Sequence, residues 1–243
     1  MRALTFAKRC AKEILRDPIN LGFGLGFPIV LLVLLNALQR NIPQPLFEIN
    51  SLAPGVAVFG LSFMTLFSAT LIAKDRESAF LQRLYATPLT GFDFILGYML
   101  SVLPIALGQT AISFMAAILL GADFGIHVVF AVVGAIPMTV FNIALGLLCG
   151  SLLGVKQVGG LCGALLTNLS AWLSGVWFDL SLLGGYFEKI ANVLPFAHAV
   201  KLEKALWAGD FTQAAAHVLP VLIYGVVTTV LAVFCFLRQM GKE

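Results

Sequence analysis

The chain has 243 residues, 60% of them apolar and only 11% charged, with a mean hydropathy of +0.97. Soluble globular chains are about 45–50% apolar, so a water-soluble domain is excluded. The net charge of +3 is divided among loops with no aromatic-basic platform for nucleic acid, and the four cysteines form no CxxC or metal-ligand spacing.

Residues 4–17 pattern as an amphipathic helix. Leu4, Ala7, Cys10, Ala11 and Ile14 form one stripe, with Lys8, Arg9, Lys12, Glu13 and Arg16 around the rest. An interfacial helix over residues 1–18 is therefore expected, with Pro18 at the corner into the membrane. The apolar run Ile19–Leu38 is longer than the roughly 7–15 residues of a signal-peptide core, and no small-x-small cleavage site closes it. It reads as a first span.

Five further runs reach the roughly 20 residues that cross a bilayer as helix. They are Leu52–Ala73, Phe94–Leu120, His127–Leu153, Val158–Phe178 and His217–Leu237. The expected fold is an all-α integral membrane protein with six transmembrane helices, built as one domain over residues 1–243. Six spans put both ends on one side. The loops on that side hold 11 of the lysines and arginines and the other side holds 4, so the positive-inside rule makes the termini and the 74–91 loop cytoplasmic.

Residues 179–216 form the longest external segment. Its two amphipathic pieces, Tyr186–Val193 and Phe196–Leu206, are too short to span. They either lie on the outer leaflet or re-enter it, with Trp172, Trp177, Tyr186 and Trp207 as interfacial aromatics. His127 and His217 stand at span boundaries as polar caps.

The spans as drawn contain no Asp, Glu, Lys or Arg, which disfavours a proton-coupled carrier. Neither a GxSxG nor an HExxH occurs, and no pair of intramembrane aspartates, so a membrane protease is disfavoured too. The one Gly-Lys pair, Gly241-Lys242, lacks the glycine spacing of a phosphate-binding loop. If ATP drives this protein, another polypeptide binds it.

Asn36, Ser62, Thr65 and Asn168 are candidates to line a substrate route, against the alternative of hydrogen bonds between helices. Gly146, Gly150 and Gly154 recur every fourth residue, as do Gly159 and Gly163, and Gly22 and Gly26. Such stripes permit close helix approach, within one subunit or between two.

The charged run AKDRESAFLQRLYATPLT, residues 73–90, lies between the second and third spans. Asp75-Arg76-Glu77 opens it, Phe80, Leu81, Leu84 and Tyr85 follow at helical spacing, and Pro88 stops the helix. A short amphipathic helix at a membrane face can dock a soluble partner, or it can simply be a solvated interfacial loop.

Asp75-Arg76-Glu77, Leu81, Leu84 and Thr87-Pro88 resemble the segment between spans two and three of ABC-2 type transporter permeases. Arg16-Asp17-Pro18 is similar to that family's entry to span one, and Leu194-Pro195-Phe196-Ala197-His198-Ala199 resembles its Leu-Pro-x-x-His segment. Ala79, Phe80 and Gln82 depart from the usual Gly, Thr and Glu.

The resemblance implies a permease that pairs with a second permease copy or paralogue and with two copies of a cytoplasmic ATP-binding subunit. ATP and Mg would be bound by that partner, with no cofactor on this chain. It further implies that Arg76, Glu77, Phe80, Leu81, Arg83, Leu84, Tyr85 and Pro88 form a coupling helix. Gly22, Gly26, Gly159 and Gly163 would lie between protomers, and short re-entrant helices would stand between spans five and six. Export of a hydrophobic or amphipathic substrate across a prokaryotic cytoplasmic membrane is the expected activity. An ATPase-independent carrier or channel, and a non-transporting membrane anchor, are the readings from other classes.

Overall fold

The computed structural model describes residues 2–44, 46–78, 90–182 and 184–240, and among them regular structure is helical throughout, with no strand. In chain order the main helices are α1 (Arg2–Leu15), α2 (Pro18–Gln39), α3 (Ile49–Glu77), α4 (Gly91–Leu119) and α5 (His127–Leu152). They are followed by α6 (residues 155–174), α7 (Gly185–Val193), α8 (Pro195–Trp207) and α9 (Phe211–Met240).

Five of these, α2, α3, α4, α5 and α9, are long and apolar enough to cross a membrane. Helix α6 occupies the place of the expected fifth span but is more polar, carrying Lys156, Gln157 and Asn168, and is not among the five. It also stops short of Phe178. Gly175 adopts φ +73°, the left-handed turn that ends a helix where glycine carries no steric penalty.

Helix α1 does not lie free. Phe6, Ala7, Cys10 and Ile14 are buried while Leu4 is exposed, so the buried stripe is rotated from the expected one to include Phe6. The Phe6 ring stands edge-on to Phe94 and Tyr98 of α4 at 5.4 and 5.0 Å. At the corner Asp17 caps α2, accepting from the Asn20 backbone N–H at 3.2 Å, and Pro18 takes the first turn where its missing N–H costs nothing.

Helix α3 is the axis of the molecule. Its most apolar 18-residue window is 89% buried, against 17% for α2 and 22% for α9. Glycines make this possible: a Cβ on Gly146 would strike Ser68 Oγ and Thr65 O, and one on Gly150 would come within 2.9 Å of Ala69 Cα. The backbones of α3 and α5 therefore touch, and hydroxyl and amide groups knit the seam. The Thr65 hydroxyl donates to Asn142 Oδ1 at 3.0 Å, and the Ser68 hydroxyl donates to Ile143 O at 3.2 Å.

Helix α8 is inserted among α3, α5, α6 and α9. Trp207, expected at the membrane interface, is instead buried, its ring 4.9 Å from Phe114 and 5.2 Å from His127. The reason is that α8 packs inside the helix assembly instead of along its rim. Trp172 and Tyr186 are exposed.

Candidate functional site

Where α3 ends, three consecutive charged side chains tie five helices together. Helix α3 continues beyond the predicted Ala73 to Glu77, so Asp75 falls on its buried face, in helical register with Ser68, Leu71 and Ile72, and is 1% exposed. Burying a carboxylate is costly unless its oxygens are matched. Here they are. Arg9 of α1 forks onto it through Nη1 and Nη2 at 2.7 and 2.8 Å, and the Tyr98 hydroxyl of α4 donates to Oδ2 at 2.9 Å. Burial works against the Arg9 charge, but the hydrogen bonds and attraction of Asp75 outweigh it and hold the guanidinium pKa above its ordinary value. Burial, then the Asp75 charge, pushes the neighbouring Cys10 thiol up to about 12.

Arg76 turns the other way. Its guanidinium donates to the carbonyls of Ser151 and, at 2.8 Å, Leu153, which α5 leaves unpaired at its C-terminus, and to Gln239 Oε1 of α9 at 3.1 Å. A cation on terminal carbonyls also complements the helix dipole. Glu77 does the converse. Its Oε1 accepts from the Val155 N–H at 2.8 Å, placing a carboxylate at the N-terminus of α6. Thus α1, α4, α5, α6 and α9 all bind to the last turn of α3.

Arg76 and Glu77, expected in contact with an ATPase, are thereby engaged within the chain. The other residues of that set, Phe80, Leu81, Arg83, Leu84, Tyr85 and Pro88, lie outside the described residues. The chain enters the 79–89 segment immediately after this polar knot and leaves it at Thr90, which caps α4 in a box with Asp93.

The expected substrate-route residues divide into two pairs. Ser62 Oγ lies 2.6 Å from Ser170 Oγ, and Thr65 bonds Asn142, so both are buried in interhelical bonds. Asn168 is exposed on α6, where its amide donates to Ala164 O at 2.8 Å, and Asn36 is half-exposed on α2. The glycines divide as well. Cβ atoms on Gly22, Gly26 and Gly159 would meet nothing within 4 Å, whereas one on Gly163 would touch the Leu66 side chain at 3.4 Å.

At the opposite end of α3, Asn50 exchanges hydrogen bonds with Asp123 at 2.8 and 2.9 Å. Cavities of about 670 and 510 Å³ open there and share Lys204 on their walls. Burial lowers the Lys204 pKa, with Asp179 opposing. Backbone and side-chain hydrogen bonds from Ser181 hold the exposed Asp179 carboxyl below its usual range.

Sequence reasoning missed Arg9 and Tyr98 as partners of Asp75, and missed Glu203. Glu203 is 2% exposed, and both its carboxyl oxygens lack a hydrogen-bond partner. The signal was present: Phe196, Ala199, Val200, Glu203 and Leu206 share one helical face. A glutamate on an otherwise apolar stripe marks a buried carboxyl.

Apolar helices of spanning length, bound at one end by a charged knot, define a multi-pass membrane protein. The family described as ABC-2 type transporter matches residues 2–202 of the sequence. The chain belongs to that family and is a transport permease. A chain from Pyropia yezoensis named as a transport permease, ycf38, is 26% identical over 229 residues, covering 86% of this chain and 76% of its own length.

Proposed function

We propose that the chain is the transmembrane subunit of an ATP-driven exporter of hydrophobic or amphipathic molecules. In this reading α6 is the sixth span, both termini are cytoplasmic, and α7 and α8 re-enter the outer leaflet. Two ATP-binding subunits dock on the 74–91 segment, and a second permease copy packs against α2 and α6. The observation that carries the reading is the Asp75-Arg76-Glu77 knot. A partner pressing on the segment that begins there would load α1, α4, α5, α6 and α9 at once. Local docking could thus move spans that the partner never touches.

The glycines Gly22, Gly26 and Gly159, with open space beside them, and the exposed Asn168 amide support a second protomer, because an amide and bare backbone gain little from lipid. The decisive experiment is affinity purification of the tagged chain in mild detergent, with an ATPase assay of what accompanies it. A nucleotide-binding subunit that co-purifies with the wild type and is lost on Leu84→Asp supports the reading. A chain that transports alone in liposomes, or that holds a partner without ATPase activity, overturns it.

A further inference from the structure

Among the described residues, the buried side-chain atoms without a hydrogen-bond partner are Gln109 Oε1, Thr139 Oγ1 and both carboxyl oxygens of Glu203. An amide oxygen or a hydroxyl can tolerate a missing partner at modest cost. A carboxylate cannot, because its charge has been moved out of water with nothing to replace the hydration. The Glu203 carboxyl points at Gly134 of α5. A Cβ on Gly134 would lie 3.4 Å from Oε1 and would collide with Leu206 Cδ1, so the bare glycine is the socket for this turn of α8.

No charge in the surrounding helices compensates it. Residues 49–73 of α3, 99–119 of α4 and 167–174 of α6 contain no titratable group. On α5, His127 packs its ring on Trp207 and Cys149 lies near the far end. On α7, Tyr186 is exposed with Lys189 over its ring, and Glu188 lines the outer cavity. On α9, His217 faces His198, Tyr224 lies against Phe141, and Cys235 and Arg238 belong to the last turns. Within α8 itself, Lys201 donates to Asn192 Oδ1 and Lys204 turns to the cavities.

We propose that Glu203 is a proton-binding site, and that seating α8 against Gly134 takes up one proton. When α8 leaves the socket, the carboxyl O–H bond breaks, the electron pair stays on oxygen and the proton passes to water. The inference concerns α8 and Gly134 alone and stands whether or not an ATPase drives the protein. Burial as the single cause holds the Glu203 pKa well above the usual carboxyl range, in accord with the geometry. The seated form therefore binds more protons than the unseated one. Seating is strongest in acid and weakens as pH rises above the ordinary glutamate range, by up to about tenfold per pH unit for one proton.

The His198–His217 pair ties α8 to α9 beside this site. His198 Nε2 is 2.8 Å from Asn192 O and must donate to it, so its Nδ1 accepts from His217 Nδ1–H at 3.1 Å.

The test uses the full chain in lipid nanodiscs. Infrared spectroscopy of the wild type should show a protonated, unbonded carboxyl at neutral pH that Glu203→Gln removes. Hydrogen exchange across residues 195–207, with the intrinsic base-catalysed rise divided out, should climb with pH in the wild type and stay flat in Glu203→Gln. Absence of the protonated band at neutral pH overturns the proposal, as does an equal pH slope in the two proteins. Should Glu203→Gln fail to fold, infrared titration of the wild type decides: a carboxyl band lost within the ordinary glutamate range overturns the proposal, and one persisting well above it supports it.

Discussion

Asp75 and Glu203 are both buried carboxyls, and the molecule treats them in opposite ways. Asp75 receives hydrogen bonds from Arg9 and Tyr98, so its carboxyl is matched and becomes a joint between three helices. Glu203 receives none and is held against a bare glycine. A matched buried charge specifies which elements meet, whereas an unmatched one makes the packing of its helix conditional on protonation. The first suits a fixed connection and the second a part that moves.

The contrast is broken most severely at Asp75. Replacing it by Leu strands the Arg9 guanidinium and the Tyr98 hydroxyl. Removing one partner of a buried pair costs about 3–5 kcal/mol, and the partly exposed Arg9 can turn to water, so a loss near the lower end is expected. Thermal unfolding in detergent measures it. The same variant removes the Asp75 charge that adds to burial in raising the Cys10 thiol to about 12, so maleimide labelling at Cys10 at neutral pH should be faster in the variant than in the wild type.

Arg76→Ala comes next. It leaves the Ser151 and Leu153 carbonyls and Gln239 without their donor, at a cost of about 1–3 kcal/mol, and a coupled ATPase would then be stimulated less by substrate. Gly150→Ala forces α5 off Ala69, and overpacking of this kind costs about 1–3 kcal/mol.

Glu203→Leu should run the other way from Asp75→Leu. It replaces an unmatched carboxyl by an apolar side chain and is expected to stabilise by about 1 kcal/mol at neutral pH. The gain should shrink in acid, because there the wild-type carboxyl is protonated in both seated and unseated forms. Stability curves of the two proteins against pH check the sign. Gly22→Ala and Gly159→Ala, with open space around the new methyl, should change the stability of the isolated chain by no more than about 0.5 kcal/mol. A larger effect on co-purification of two differently tagged copies would place these glycines between protomers.

Much of the architecture was legible in the one-dimensional pattern, because a bilayer imposes length and composition on anything that crosses it. The apolar runs beginning at Ile19, Leu52, Phe94, His127 and His217 correspond to the five apolar helices of spanning length. The charged stretch after Ala73 stood out for the same reason, as did Asp17-Pro18 as a helix start. Local rules sufficed for these. Residues 155–174 form a helix where the fifth span was expected, but Lys156, Gln157 and Asn168 leave it outside the five and Gly175 ends it before Phe178.

What tertiary structure alone decided was pairing. Periodicity placed Arg9 on the polar face of α1, yet its partner is 66 residues away on α3. Ser62 and Thr65 were candidates for a route, and only the approach of α5 and α6 turned them into interhelical bonds. Trp207 had the character of an interfacial anchor until α8 was packed among its neighbours. Sequence spacing reports which residues share a face of one helix. What that face meets depends on every other helix, and a buried charge is matched or unmatched only once they are in place.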